Sequence, residues 1–292
     1  MDKFFIITNS DKDCNLEITR YIQNYIRKKG GSCQIQNKSH KNLQGKYNYT
    51  DPADIDRNIQ AILVLGGDGT VIQAARDVVD CGIPILGINL GTLGYLAEID
   101  RNNVRMALDA LFNDTYEIEE RMMLEGGRSD GEPESQQVAL NDVVISRTGS
   151  LRVVTYQIYV NDRYLTSYKA DGIIVATPTG STGYSMSAGG PIVAPDAKMM
   201  LITPICPHTL NRTSIVLDAN DKIGISVGNG RAIAESERRK ENQEAVAGFD
   251  AACSIPLWSG DKIEVRRSDK IMRLVKISKD SFLEILSRKM SS

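Results

Sequence analysis

Ala61-Ile62-Leu63-Val64-Leu65-Gly66-Gly67-Asp68-Gly69-Thr70 decides the architecture of the first part of the chain. Five apolar residues in a row suit a strand buried on both faces, as in a parallel sheet. Glycines break the run, and the spacing from Val71 to Val79 then predicts a helix. A second apolar run, Ile83 to Ile88, follows it. Strand, helix, strand in that order implies parallel pairing through a right-handed crossover. Upstream, Phe4 to Thr8 predicts another strand, and Asn9-Ser10-Asp11 supplies turn and cap chemistry. Ile18, Tyr21, Ile22, Tyr25 and Ile26 share one face of a helix that Lys28-Lys29-Gly30-Gly31 ends. Gln36 to Asp54 is polar and reads as loop. This half is α/β.

Downstream of about residue 118 the texture changes. Val138 to Ser146, Val153 to Val160, Gly172 to Ala176, Ser214 to Val216 and Lys262 to Val265 predict strands. Polar, glycine-containing segments separate many of them, among them Gly126 to Gln137 and Gly228 to Glu244, and helical periodicity is scarce. The expected layout is an α/β domain over 1–118 and a β-rich domain over 119–276. Phe282, Leu283, Ile285 and Leu286 mark a last helix, so residues 277–292 are expected to pack back on the first domain.

Composition narrows the function classes. A chain of 292 residues has room for about two cores. With 35 Lys and Arg against 37 Asp and Glu, the net charge of -2 lacks the basic surplus of a dedicated nucleic-acid binder. The five cysteines are odd in number, scattered and never in a C-x-x-C pair, which fits reduced thiols in the cytoplasm and no zinc site. No apolar run reaches the length of a membrane span, and the N-terminus does not match a secretion signal.

Three motifs could carry chemistry. Gly66-Gly67-Asp68-Gly69-Thr70 sits where a buried strand ends and a helix begins, the place where parallel sheets bind ligands. Backbone amides there form a phosphate cradle with the helix N-terminus. A carboxylate amid phosphates makes sense if it handles a hydroxyl proton, although a glycine-rich turn with Asp as helix cap gives the same five letters. No G-x-x-x-x-G-K-[ST] occurs, so this is not a P-loop. The second motif runs from Asp171 through Thr177-Pro178-Thr179-Gly180-Ser181-Thr182-Gly183-Tyr184-Ser185-Met186-Ser187 to Pro191. It offers many backbone and hydroxyl donors and one aromatic face. The third, Asn141-Asp142 before an apolar strand, can grip vicinal hydroxyls or simply form a turn.

Taken together, in this order and spacing, the three motifs resemble the NAD kinase family. Asn89 to Leu96 and Pro204 to Asn211 resemble it too, and the likeness spans most of the chain from about Ala61. The resemblance implies transfer of the terminal phosphate of ATP, or of polyphosphate, to the 2′-hydroxyl of the adenosine ribose of NAD, giving NADP. It implies Asp68 as the catalytic base, Gly66, Gly67, Gly69 and Thr70 on the donor phosphates, and Mg²⁺ arriving with the nucleotide. On the NAD side it implies Asp68 and Gly69 again, Asn141 and Asp142 on ribose hydroxyls, and Tyr95 or Tyr184 stacked on a ring. Asp171 with Thr182, Gly183, Tyr184, Ser185, Met186 and Ser187 would meet the adenine and nicotinamide ends, with Arg152 and Lys169 as further contacts. No protein-held metal site, nucleic acid or membrane is implied; a homodimer or homotetramer through the β-rich domains is. The sequence departs from the family at Ala170, Gly183 and Ala252, the last standing where a Gln often touches substrate, so that contact is not carried over. His208 fits either a site residue or a structural histidine. Two other readings use the same motifs, a lipid kinase sharing GGDGT and a non-catalytic dinucleotide sensor. The complete second motif speaks against the first, and Asp68 against the second.

Overall fold

The computed structural model describes residues 1–36, 50–91, 94–131, 136–149, 153–208, 212–228 and 243–291. The loop expected at Gln36 to Asp54 and the turn at Gly228 to Glu244 fall largely outside them. The chain divides into two compact units, Met1–Arg121 with Lys270–Ser292, and Met122–Asp269.

In the first unit the elements are β1 (Lys3–Thr8), α1 (Glu17–Lys28), β2 (Ser32–Ile35), β3 (Ala61–Gly66), α2 (Asp68–Val78), β4 (Ile85–Asn89), β5 (Ile99–Asp100) and α3 (Val104–Phe112). A C-terminal helix, Phe282–Met290, completes it. The strands run parallel in the order β2-β1-β3-β4-β5. Every residue of β3 is buried, as its unbroken apolar run requires. Ile22 and Ile26 of α1 enter the same core as Phe4, Leu63, Leu65 and Leu86, because a four-residue spacing keeps them on one face. Asn9 makes the turn after β1, accepting from Asp11 N. The start of α1 is satisfied instead by Asp13, whose carboxylate accepts from Ile18 N and Thr19 N. α3 was not foreseen, although Val104, Leu108 and Leu111 carry its spacing.

Among its described residues the second unit is strand apart from short helical turns. It contains the end of β6 (Glu117–Arg128), then β7 (Gln137–Ala139), β8 (Asp142–Arg147), β9 (Val154–Val160), β10 (Arg163–Ala170), β11 (Gly172–Ala176), β12 (Met199–Ile205), β13 (Ile215–Asp218), β14 (Ile223–Val227), β15 (Ala245–Phe249), β16 (Cys253–Leu257) and most of β17 (Lys262–Lys276). One antiparallel sheet has the order β13-β12-β11-β8-β15-β16, and a second group runs β10-β9-β14-β17. Tyr156, Tyr168, Phe249, Ile173 and Val175 fill the core they share.

Two expectations change here. Gly126 and Gly127 lie inside β6 and not in a turn: a side chain at Gly126 would stand 2.5 Å from Glu264 O, so the glycine admits a close neighbouring backbone. The strand expected at Val138 to Ser146 breaks at Leu140-Asn141, because the Asp250 carboxylate takes the N–H groups of Leu140, Asn141 and Asp142 out of the ladder.

Candidate active site

In the first unit a candidate site is built at the carboxyl ends of β1, β3 and β4. Gly67 caps α2, and Asp68 is its first residue. The Asp68 carboxylate turns away from its own helix and accepts three backbone N–H bonds, from Tyr95 to Oδ2 at 2.6 Å and from Leu96 and Ala97 to Oδ1 at 3.2 Å each. Gly94 makes this approach possible, since a Cβ there would lie 1.7 Å from Asp68 Oδ1. Gly69 is different: nothing lies within 4 Å of where its Cβ would be, so the chain's own packing gives no reason for a glycine. A close backbone approach by a ligand does. Thr70 Oγ1 accepts from Asn9 Nδ2 at 3.3 Å, joining this loop to the one after β1.

Tyr95 continues the first cluster. Its ring lies 4.1 Å beneath Lys289 Nζ and 6.5 Å from the Phe282 ring, both of the C-terminal helix. Burial, and then the Asp68 charge, push its phenol above the ordinary value. Three residues on, Glu98 accepts from Ile277 N at 3.0 Å and Ser278 N at 2.6 Å, and burial holds its carboxyl above the usual range. Thr92 and Leu93 lie outside the described residues.

The second unit gathers Asn141, Asp142 and Gly183. A Cβ on Gly183 would stand 3.4 Å from Asn141 Nδ2 and 3.9 Å from Asp142 Oδ2. Thr177 fixes this meeting: its hydroxyl donates to Leu140 O at 2.7 Å and its N–H to Asn141 O at 2.8 Å. Gly180 must be glycine, because a Cβ would fall 2.1 Å from Asn141 O. Asn141 Oδ1 is buried without a hydrogen-bond partner. Asp142 is only 7% exposed, and burial first, the neighbouring Asp250 charge second, push its carboxyl up to about 7.

The remaining residues of the long motif divide by exposure. Tyr184, Met186 and Ser187 are exposed and Thr182 half-buried, whereas Ser185 is fully buried and shares a hydroxyl hydrogen bond with Thr203 at 3.1 Å. Asp171 stands apart from them, at the other end of β11, about 17 Å of strand away. There it pairs with Arg147 Nε at 2.8 Å. Lys169 is exposed beside it, and its carbonyl accepts from the backbone N–H of exposed His208 at 2.7 Å. Arg152 lies outside the described residues, as do Thr209 to Asn211.

Sequence reasoning missed Glu98 and Arg147, and it named Asn9, Gly94, Thr177 and the neighbourhood of Asp250 without giving them these roles. Each acts through contacts distant in sequence; Thr177 and Gly94 lay inside quoted motifs and Asp250 beside the expected substrate-binding Gln position, but no local pattern announced their partners. Among the described residues, no group of three or more His, Cys, Asp and Glu side chains could hold a metal ion, and no helix is long and apolar enough to cross a membrane.

Comparison with known proteins shows the family and the fold. The NAD kinase of Lachnospira eligens is 43% identical over 99% of this chain and 100% of its own length. That of Lachnoclostridium phytofermentans is 41% identical over 99% of both. The fold is shared with yeast NADH kinase in complex with NADH, at a TM-score of 0.78 and 24% identity over 100% of this chain and 88% of that one. It is shared also with an NAD kinase from Archaeoglobus fulgidus in complex with ATP, at a TM-score of 0.76 and 21% identity over 99% of both. Residues 4–116 match the ATP-NAD kinase N-terminal domain and residues 140–277 the ATP-NAD kinase C-terminal domain, and the chain therefore belongs to the NAD kinase family.

Proposed function

We propose that the chain transfers the terminal phosphoryl group of ATP to the 2′-hydroxyl of the adenosine ribose of NAD, with Asp68 as the base. The carrying observation is the Asp68 carboxylate, fixed by three main-chain donors at the mouth of a glycine cradle. An ionised carboxylate has roughly four acceptor positions, and the three N–H bonds leave one of them, on Oδ2. That oxygen receives the ribose proton as the hydroxyl oxygen bonds to the γ-phosphorus, the bond to the β,γ-bridging oxygen breaks, and ADP leaves. Gly66, Gly67, Gly69 and Thr70 cradle the donor phosphates through amides and the start of α2. The open space beside Gly69 leaves its backbone accessible to a phosphate. A Mg²⁺ ion arriving with the nucleotide would supply charge neutralisation on its phosphates.

In the second unit Asn141 and Asp142 hold ribose hydroxyls, the unpartnered Asn141 Oδ1 as an acceptor. Thr182 to Ser187 and the Asp171–Lys169 group stand at the two ends of β11, which suits a dinucleotide with two ends to be held. Tyr95 or Tyr184 stacks on a ring. Residues 119–276 serve NAD binding and assembly into a homodimer or homotetramer. A cytoplasmic setting accords with five unpaired cysteines.

The test is NADP formation from NAD, ATP and Mg²⁺ by wild type and Asp68→Asn. Asn keeps one oxygen for Leu96 and Ala97 but cannot take a proton. The expected loss in kcat is on the order of 10²- to 10⁴-fold, with NAD binding largely kept, and chelation of the divalent cation stops turnover in both proteins. Undiminished turnover by Asp68→Asn would remove Asp68 from the proton transfer.

A further inference from the structure

The geometry points to Lys12 as a binding residue for the phosphates of the donor, an assignment that rests on the kinase reading above. Parallel pairing sets β1 beside β3 and β3 beside β4, so the loops that leave their carboxyl ends are neighbours. Lys12 lies in the first of these loops. Its ammonium hangs over the other two: a Cβ on Gly67 would stand 2.9 Å from Lys12 Nζ, and one on Gly91 3.3 Å from it. The two glycines therefore leave the room in which the charge sits.

The loop that carries Lys12 is held from both sides. Asn9 donates to Thr70 of the cradle, and Asp13, buried, accepts from Ile18 N, Thr19 N and the Thr19 hydroxyl. Lys12 N itself donates to Asn9 O at 3.1 Å. The exposed side chain forms no ion pair among the described residues, and its ammonium stands beside the glycines of both loops. An ammonium with three donors, next to a helix N-terminus and a glycine left open, is complementary to a polyanion. The ligand class is a nucleoside triphosphate or an inorganic polyphosphate, and the shared chemistry is the phosphate chain.

Lys12→Ala and Lys12→Arg are measured with ATP varied at saturating NAD, and with NAD varied at saturating ATP. Loss of one charged contact raises KM for ATP about tenfold in Lys12→Ala. KM for NAD stays within twofold, and Lys12→Arg recovers most of the loss. Inorganic triphosphate, titrated calorimetrically into the same proteins, binds Lys12→Ala about tenfold more weakly by the same reasoning. An unchanged KM for ATP, or a rise confined to KM for NAD, overturns the assignment. A wild type that forms no NADP defeats the kinase reading separately, and the triphosphate titration then decides on Lys12: equal affinity in wild type and Lys12→Ala overturns it.

Discussion

Asp142 and Asp250 bring two carboxylates to one backbone corner, and the two are used differently. Asp250 is the anchor, its oxygens taken up by the N–H groups of Leu140, Asn141 and Asp142. Asp142 is left buried beside that charge with its carboxyl pushed up to about 7. An unfolded Asp titrates near 4. Between those two values the folded state holds a proton that the unfolded state has lost, so stability falls as pH rises from 4 through 7. Asp142→Asn removes this dependence. In urea melts the variant gains about 2–4 kcal/mol over wild type at pH 8 and almost nothing at pH 4. A difference that does not grow with pH would refute the assignment. The Asn141-Asp142 pair was legible as a motif, but the residue that shapes it was not. Asp250 lies 108 positions from Asp142, and no local pattern announces a carboxylate that serves another segment's amides.

At the scale of elements, the segment 94–98 is held between α2 and the C-terminal stretch. Asp68 takes its amides on one side, and Glu98 takes Ile277 N and Ser278 N on the other. The C-terminal helix buries none of its residues fully. Its stability rests on the Ser281–Glu284 capping box and on contacts such as those of Phe282 and Lys289 with Tyr95. Replacing both Phe282 and Lys289 with Ala is expected to speed hydrogen exchange at the Tyr95, Leu96 and Ala97 amides about tenfold, equivalent to roughly 1.4 kcal/mol of protection. Unaltered protection would show that the helix does not steady the segment. The helix itself was legible from Phe282, Leu283, Ile285 and Leu286. Its attachment to Glu98 was not, because 180 positions separate the partners.

On the scale of the whole molecule, the two halves differed in legibility for a physical reason. Parallel strands buried on both faces leave unbroken apolar runs, and β1, β3 and β4 follow such runs closely. In the second unit, alternation marks that a strand exists without naming its partner, so the order β13-β12-β11-β8-β15-β16 could not be written down beforehand. That unit also ends its sheets on apolar residues open to solvent: Tyr164 and Leu165 on β10, Val216 on β13. Edge strands of this kind invite pairing with another chain. Light scattering is expected to give two or four times the chain mass of 32.2 kDa. Leu165→Lys is expected to shift that mass toward the single chain while leaving the fold intact by circular dichroism. A wild type that runs as a single chain would exclude assembly.

Tyr95 offers its main chain to Asp68 and its ring to Phe282 and Lys289. Any residue except proline supplies the same N–H. The ring is a second lever on that N–H: its contacts with Phe282 and Lys289 help hold the segment whose amides fix Asp68, so exchanging the ring is expected to loosen the carboxylate's setting as well. Two traits thus meet at a single codon, and with Asp68 proposed as the base a library at this position is expected to vary them together.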